Sequence, residues 1–511
     1  GRAISGNESM SMAAQHCVPK VSLKALLEGI SDSPEIVILG ISADSRKLEP
    51  GFAFFACQGA KNHGLDFIEH AEAAGATAVI WDSTTGSPVD SNLPMVPVDK
   101  LVNKMGEIAN RWYKSPSKVV KVTGVTGTNG KTTVAFLISK ALSLVDKKCG
   151  YIGTLGSGIS QINNSGELTT PTCFDLHELL AGFRDNNAGH AAVEVSSHAL
   201  EQARVNGIKF DSAIFTNLSR DHIDYHGSMR AYFEAKARLF LDYDASIRIV
   251  NVDTDFGTEL AKLCGANVVN VSTKIDCPTK GQPHVSVRSM VPHESGVRVM
   301  VRSSWGEGEI NLNLIGDFNV ANALQVLALL LCHEICFDEA CAVLGNVTAP
   351  PGRMEPIQDL TEGDVPQVYV DFSHTPASLE AALGVLRAHC QGELWCVFGC
   401  GGERDQGKRP MMGEVAERLA DHAIVTSDNP RSEQPSAIIN DILGGMDEYE
   451  AVIDNRMEAI TYAISHAKPK DIVLIAGKGH ENYQLIGDKK IFFSDYQVGS
   501  ESLRARAGAH K

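Results

Sequence analysis

The 511-residue chain has no apolar run approaching the roughly 20 residues that a membrane-crossing helix requires. A membrane span is therefore not expected. It also lacks a surplus of positive charge: 46 Lys and Arg stand against 62 Asp and Glu, a net charge of −16. That balance argues against a broad electrostatic footprint on nucleic acid, while leaving room for a local basic pocket that takes a small anion. The 12 cysteines include no Cys-x-x-Cys pair. Cys332 and Cys336 are spaced to share one helical face, and Cys396 and Cys400 flank an apolar stretch. Both pairs read as reduced core residues and not as metal ligands, which implies a reducing compartment, the cytoplasm. The opening Gly1 to Met12 has no apolar signal-peptide core. About residues 1–11 read as a tag remnant, ahead of a start at Met10 or Met12.

A chain of this length exceeds what one hydrophobic core supports, so several domains are expected. Residues 1–101 alternate short strands, including 52–56 and 78–81, with helices and read as a small α/β domain. In 102–349, apolar and β-branched stretches at 119–125, 191–195, 213–216 and 247–250 are separated by helical patterns, as in a largely parallel sheet with crossover helices. The stretches 285–288, 297–301 and 309–312 read as an antiparallel appendage. Ala349-Pro350-Pro351-Gly352-Arg353 is a turn-rich break. Beyond it, in 350–511, strands at 368–371, 394–398, 423–426 and 472–476 alternate with helices, a doubly wound, Rossmann-like pattern. The expected fold class is therefore α/β, in three domains.

The most informative segment is Thr126-Gly127-Thr128-Asn129-Gly130-Lys131-Thr132-Thr133, which follows a strand pattern and opens a helical one over 133–142. Glycines let successive backbone N–H groups face a phosphate at the positive end of the helix. Lys131 adds a point charge, and the Thr132 hydroxyl suits Mg²⁺. The strict loop pattern needs glycine where Val125 stands. A plain glycine-rich turn with a surface lysine is thus the competing reading, and the rest of the chain must decide the chemistry.

Glu194 ends an apolar strand pattern and precedes Ser196, Ser197 and His198. A carboxylate at the carboxyl end of such a strand is where an α/β sheet presents ligands, and a Mg²⁺ contact is one use for it; a solvated strand-end glutamate is the alternative. Asn217-Leu218-Ser219-Arg220-Asp221-His222-Ile223-Asp224-Tyr225-His226-Gly227 is dense in polar groups just after another apolar strand. No His-x-x-x-His pair carries the helical Glu of a hydrolytic zinc site, so zinc is not expected.

These motifs, with Gly352-Arg353-Met354-Glu355, Asp371-Phe372-Ser373-His374-Thr375-Pro376 and Asp428-Asn429-Pro430-Arg431, fall in the order seen in the Mur ligases of peptidoglycan synthesis. The chain resembles that family from about Ser42 to Tyr496, and within it the MurE type, which adds the third residue of the peptide. The resemblance implies an ATP-dependent ligase that makes an acyl phosphate on a carboxylate and lets an amine displace phosphate. ATP would then lie against Thr126 to Thr133, with Asn319 and Asn322 on the adenine side and Arg353, Asp371 and His374 between domains. Mg²⁺ would be held near Thr132 and Glu194 and a second ion near His222, and Lys236 matches the family's carbamylated lysine. Lys131, Glu194, His222 and Lys236 are the implied catalytic set, and His198 and His222 are the candidates for the base that deprotonates the amine.

By the same resemblance the N-terminal domain would take the uridine nucleotide through Ser45, Arg46, His63 and Gly64, and the sugar-peptide would continue over Thr169, Thr170, Ser196 and Arg204. The amino-acid pocket would comprise Arg404, Asp428, Asn429, Pro430, Arg431, Gly477 and Glu481. Arginine as the last residue of Asp428-Asn429-Pro430-Arg431 points to meso-diaminopimelate, because a planar guanidinium pairs bidentately with a distal carboxylate that lysine does not have. The partners implied are ATP, the UDP-linked muramoyl dipeptide and meso-diaminopimelate, bound by a monomer. The rivals are an L-lysine-adding ligase, a folylpolyglutamate-synthetase-like ligase and, from another class, a P-loop nucleotide switch.

Overall fold

The computed structural model describes residues 21–59, 61–163, 168–219, 223–275, 281–357 and 364–509. The chain divides into two compact units. One comprises 1–116 with the excursions 172–181 and 202–208, and the other the remainder.

In the first unit four strands, Gly40–Ser42, Phe52–Ala56, Ala78–Asp82 and Met95–Val98, form a parallel sheet in chain order. The strand Ala78–Asp82 is buried at every position, as expected when both faces of a parallel sheet are covered. Helix Leu101–Tyr113 lays Leu101, Met105, Ile108 and Trp112 into the same core as Phe55, Ile80 and Val98. Their three- and four-residue spacing is a single apolar stripe, so the helix packs with this unit and carries it past residue 101 to Pro116.

The second unit holds a ten-stranded sheet and a six-stranded sheet. In the larger, Lys121–Thr126 lies between Phe210–Phe215 and His190–Glu194, parallel to both. Beyond these, Ile247–Asn251, Val269–Ser272 and His284–His293 extend one side and Cys149–Gly153 the other, all parallel. The antiparallel strands Gly296–Ser303 and Gly306–Leu312 continue this same sheet and do not form a separate body. Helix Lys131–Leu144 is buried on almost every face, packed on Cys149–Gly153 and His190–Glu194 and against helix Asp317–Cys332.

In the smaller sheet, Gln367–Asp371, Ile472–Ala476, Leu394–Phe398, His422–Val425 and Ala451–Val452 run parallel, in that order. Cys396 and Cys400 are buried there, and burial pushes both thiols up to about 12. The expectation for Cys332 and Cys336 is corrected. The helix ends at Cys332, Glu334 turns left-handed (φ 63°), and Cys336 caps the next helix, exposed. No helix among the described residues is long and apolar enough to cross a membrane.

Arg456 and Asp495 form a bidentate ion pair, 2.7 Å at both contacts, with both side chains fully buried. Burial alone would lower the guanidinium pKa, but the facing carboxylate overrides it and holds the group charged. Asp495→Asn leaves that charge unmatched and is expected to destabilise this unit by about 3–5 kcal/mol. A urea titration checks it; an unchanged midpoint would show that the pair contributes nothing to the fold.

Candidate active site

Strand Lys121–Thr126 runs one residue past Val125, so the turn toward helix Lys131–Leu144 is confined to Gly127–Gly130. Gly127 adopts φ +150°, and a Cβ there would lie 1.9 Å from Thr216 Oγ1. Only glycine fits this approach of the loop to its neighbouring strand end. The loop is further tied down by the Thr128 N–H donating to the Asn217 carbonyl (2.9 Å) and the Asn129 N–H to Asn217 Oδ1 (3.0 Å). The Ser219 N–H donates to Thr128 Oγ1 (3.0 Å), so Asn217 and Ser219 together frame the loop.

Lys131 Nζ folds back to donate to the Gly127 and Thr128 carbonyls, 2.9 Å each. The Lys236 ammonium, buried on helix Met229–Leu241, donates to the same Gly127 carbonyl at 2.8 Å and lies 4.6 Å from the Tyr232 ring centre. Two cations therefore converge on the loop. His222 lies outside the described residues. His198 lies against Tyr225 with ring centres 4.0 Å apart and the planes tilted by 41°.

Glu194 is completely buried. Its carboxylate accepts from Thr132 Oγ1 (3.0 Å), the Tyr151 hydroxyl (2.5 Å), and both the N–H (3.0 Å) and hydroxyl (3.1 Å) of Thr154. Burial first, and then the Glu194 charge, hold the Tyr151 phenol well above its usual range, so it stays a donor. A Cβ on Gly153 would fall 2.2 Å from Glu194 Oε1, so glycine at that strand end makes room for the carboxylate. Thr170 Oγ1 donates to the Glu194 carbonyl (2.7 Å) and accepts from the Ser196 N–H (3.1 Å), and the Thr169 hydroxyl lies 3.3 Å from that of Thr154. Thr132, Thr169, Thr170, Glu194 and Ser196 are thus one connected cluster beside the loop. Among the described residues no three His, Cys, Asp or Glu side chains form a metal cage.

On the far side of helix Lys131–Leu144, Asn322 closes on the loop: a Cβ on Gly130 would meet its Oδ1 at 2.5 Å. Asn322 in turn donates to Asn319 (3.2 Å). In the six-stranded sheet, Asp371 accepts from the Met354 N–H (2.8 Å) and from Ser373, fixing the turn that carries Arg353. The Arg353 guanidinium sits 4.9 Å over Phe372, and its buried Nε has no hydrogen-bond partner. His374 and His480 flank the same Phe372 ring. Burial lowers both imidazoles, His480 to about 4 with Arg353 adding to the effect, so both are neutral near pH 7.

The expected amino-acid residues collect at the carboxyl ends of Leu394–Phe398, His422–Val425 and Ile472–Ala476, where parallel sheets bind ligands. Arg431 has a left-handed backbone (φ 52°), its N–H donates to the Leu485 carbonyl (3.0 Å), and its Nη1 donates to the Gly402 carbonyl at 2.6 Å. Arg404 and Arg431 flank Gly401, whose added Cβ would lie 3.7 Å from Arg404 Cγ and 2.9 Å from Arg431 Nη1. Asn429 Nδ2 donates to Glu481 Oε2 at 3.0 Å. Pro430 lies in the same turn, and Gly477 approaches Asp428, whose Oδ2 a Cβ would meet at 2.7 Å.

In the first unit, Arg46 is exposed and paired with Asp44 (2.7 Å), next to Ser45 in a short 3₁₀ turn. His63 caps the next turn by accepting the Leu65 N–H (3.1 Å) and contacts Thr85 Oγ1 (3.2 Å), while Gly64 packs on Ala56. Arg204 donates to Gln202. Arg46 therefore reaches solvent, whereas His63 and Gly64 also have structural work that accounts for their identity.

Three family models match the chain in order: the Mur ligase family catalytic domain over residues 37–113, the Mur ligase middle domain over 125–330 and the Mur ligase glutamate ligase domain over 352–479. A UDP-N-acetylmuramoyl-L-alanyl-D-glutamate--2,6-diaminopimelate ligase of Pseudomonas putida is 42% identical, covering 94% of this chain and 97% of its own. The chain belongs to the Mur ligase family. A Mur ligase of the same description from Coxiella burnetii is also 42% identical, over 92% of this chain and 96% of its own. A solved structure of such a ligase superposes with a TM-score of 0.70 at 33% identity, covering 96% of this chain and 99% of its own. A Mycobacterium tuberculosis folylpolyglutamate synthase shares the fold at 19% identity and a TM-score of 0.59.

Several residues of this Mur ligase escape a reading of its motifs. Tyr151 and Thr154 were hidden because Cys149-Gly150-Tyr151-Ile152-Gly153 carries two glycines and does not read as a strand. Lys478 and the Arg456–Asp495 pair were missed as well. For Lys478 a signal existed: Gly477-Lys478-Gly479-His480 directly follows the apolar strand Ile472–Ala476.

Proposed function

We propose that this chain is the ATP-dependent ligase that joins meso-diaminopimelate to the γ-carboxylate of the D-glutamate of UDP-N-acetylmuramoyl-L-alanyl-D-glutamate, in peptidoglycan precursor synthesis. One observation carries the reading. The loop hydroxyl of Thr132 touches the fully buried Glu194 in a Mur ligase 42% identical, nearly end to end, to diaminopimelate-adding relatives.

The residues suit each step. A carboxylate is a poor electrophile, so ATP first phosphorylates it, and negative charge gathers over Gly127–Gly130 as the phosphoryl group moves. Loop N–H groups and Lys131, released from its two carbonyls, stabilise that charge by position more than by bond-making. Thr132 and Glu194 offer a hydroxyl and a carboxylate on adjoining atoms, a hard oxygen pair that fits Mg²⁺ completed by phosphate oxygens and water. Such an ion would offset phosphate charge. The four donors on Glu194 hold its carboxylate aimed at that position. Lys236, buried beside the loop, is the place for a carbamate, and intact-mass analysis under bicarbonate checks for the added CO₂.

The amine acceptor is then held by the second cluster. Arg431, with Arg404 on the other side of Gly401, suits a distal carboxylate, and Glu481 suits the distal ammonium. Attack of the free amine on the acyl phosphate forms the amide and expels phosphate. Arg353 and His374, on the turns that follow Pro351 and Asp371, would lie over ATP and help exclude water that would otherwise hydrolyse the intermediate.

Phosphate release and product mass, measured with meso-diaminopimelate or L-lysine as acceptor, decide the matter. Amide product with diaminopimelate and little with lysine is expected. Equal turnover of the two acceptors would overturn the specificity, and phosphate release that needs no amine would overturn the ligase reading.

A further inference from the structure

Lys478 is fully buried and its ammonium must therefore be matched inside the protein. It meets three members of the proposed amino-acid pocket at once. Its Nζ donates to Asn429 Oδ1 (3.0 Å) and to Glu481 Oε2 (3.3 Å), and stands 3.7 Å from Asp428 Oδ1. The Tyr483 ring lies 5.6 Å away. Asn429 is held in turn: its Oδ1 also accepts the Leu485 N–H (2.9 Å) and its Nδ2 reaches Glu481. The same Glu481 oxygen thus receives both the lysine and the asparagine.

Without Lys478, two carboxylates would share the floor of the pocket. That arrangement favours an acceptor ending in an ammonium alone and repels one that also ends in a carboxylate. With Lys478 present, its ammonium offsets the Asp428 charge and Glu481 is fixed by two donors, so the arginines of the pocket have less negative charge to compete with the ligand's carboxylate. We infer that Lys478 is a positioning and specificity-determining residue, which orients Asn429 and Glu481 and tilts the site toward an acceptor with both a distal carboxylate and a distal ammonium. This rests on the proposed amide-ligase reading.

The test is steady-state kinetics of Lys478→Met, which keeps the length and removes the charge, with the intact full-length enzyme. The KM for meso-diaminopimelate is expected to rise about tenfold or more while the KM for ATP stays within about twofold, because only the pocket loses a charged partner. The preference for diaminopimelate over L-lysine should fall by a similar factor. Adding Asp428→Asn removes one of the two carboxylates and should restore part of the preference; if Lys478→Met alone does not fold, Lys478→Gln, which keeps an amide donor without the charge, carries the single-variant comparison. A parallel rise of both KM values, a fall in kcat alone, or an unchanged acceptor preference would overturn the inference. Failure of the unmodified enzyme to form any amide would instead count against the ligase reading itself.

Discussion

Lys131→Ala is expected to lower amide formation by about a hundred- to a thousandfold, with the amino-acid KM little changed. The lysine is the first residue of helix Lys131–Leu144 and donates to two loop carbonyls, which a phosphate would replace. Losing it removes a mobile positive charge from the point where charge builds up as the phosphoryl group moves. The loop itself should survive, because its shape comes from Gly127 against Thr216 and from Asn217, not from the lysine. Single-turnover phosphate release resolves the effect: the loss should fall on the first chemical step. Wild-type rates would remove Lys131 from the mechanism. Arginine should not substitute, since its planar fork does not reproduce a compact ammonium at a tight loop.

Arg431→Ala is expected to raise the KM for meso-diaminopimelate by about thirtyfold to a hundredfold, the worth of a charge-assisted hydrogen-bonded pair. The KM for ATP should hold. Alanine keeps the same cost of a left-handed backbone (φ 52°) and leaves the Leu485 and Gly487 backbone bonds in place, so the variant isolates the guanidinium. Competition assays with L-lysine give the second readout: the variant should discriminate poorly between the two acceptors. An unchanged diaminopimelate KM would place Arg431 outside the pocket.

The phosphate loop was legible because its information is local. A strand pattern, two glycines, a lysine and a threonine lie within a dozen residues, and the structure alters only the element ends, running the strand over Lys121–Thr126 and starting the helix at Lys131. Strands such as Phe52–Ala56, Leu394–Phe398 and Ile472–Ala476 were equally plain, since each is an apolar run buried on both faces. Boundaries were less so. Helix Leu101–Tyr113 belongs with the first unit because its stripe faces Phe55 and Ile80, a fact about packing that its own periodicity does not contain.

From its residues alone the chain determined an α/β protein with a phosphate-binding loop, a strand-end glutamate and a set of motifs in Mur ligase order, all properties of neighbours along the chain. Only the tertiary structure decided what those residues touch. Glu194 meets Thr132 because His190–Glu194 pairs directly with Lys121–Thr126, although some 60 residues separate them. Tyr151, Thr154 and Lys478 enter the site for the same reason: strand order brings distant chain segments to one edge of a sheet, and burial there favours partners such as these for the polar groups delivered to it.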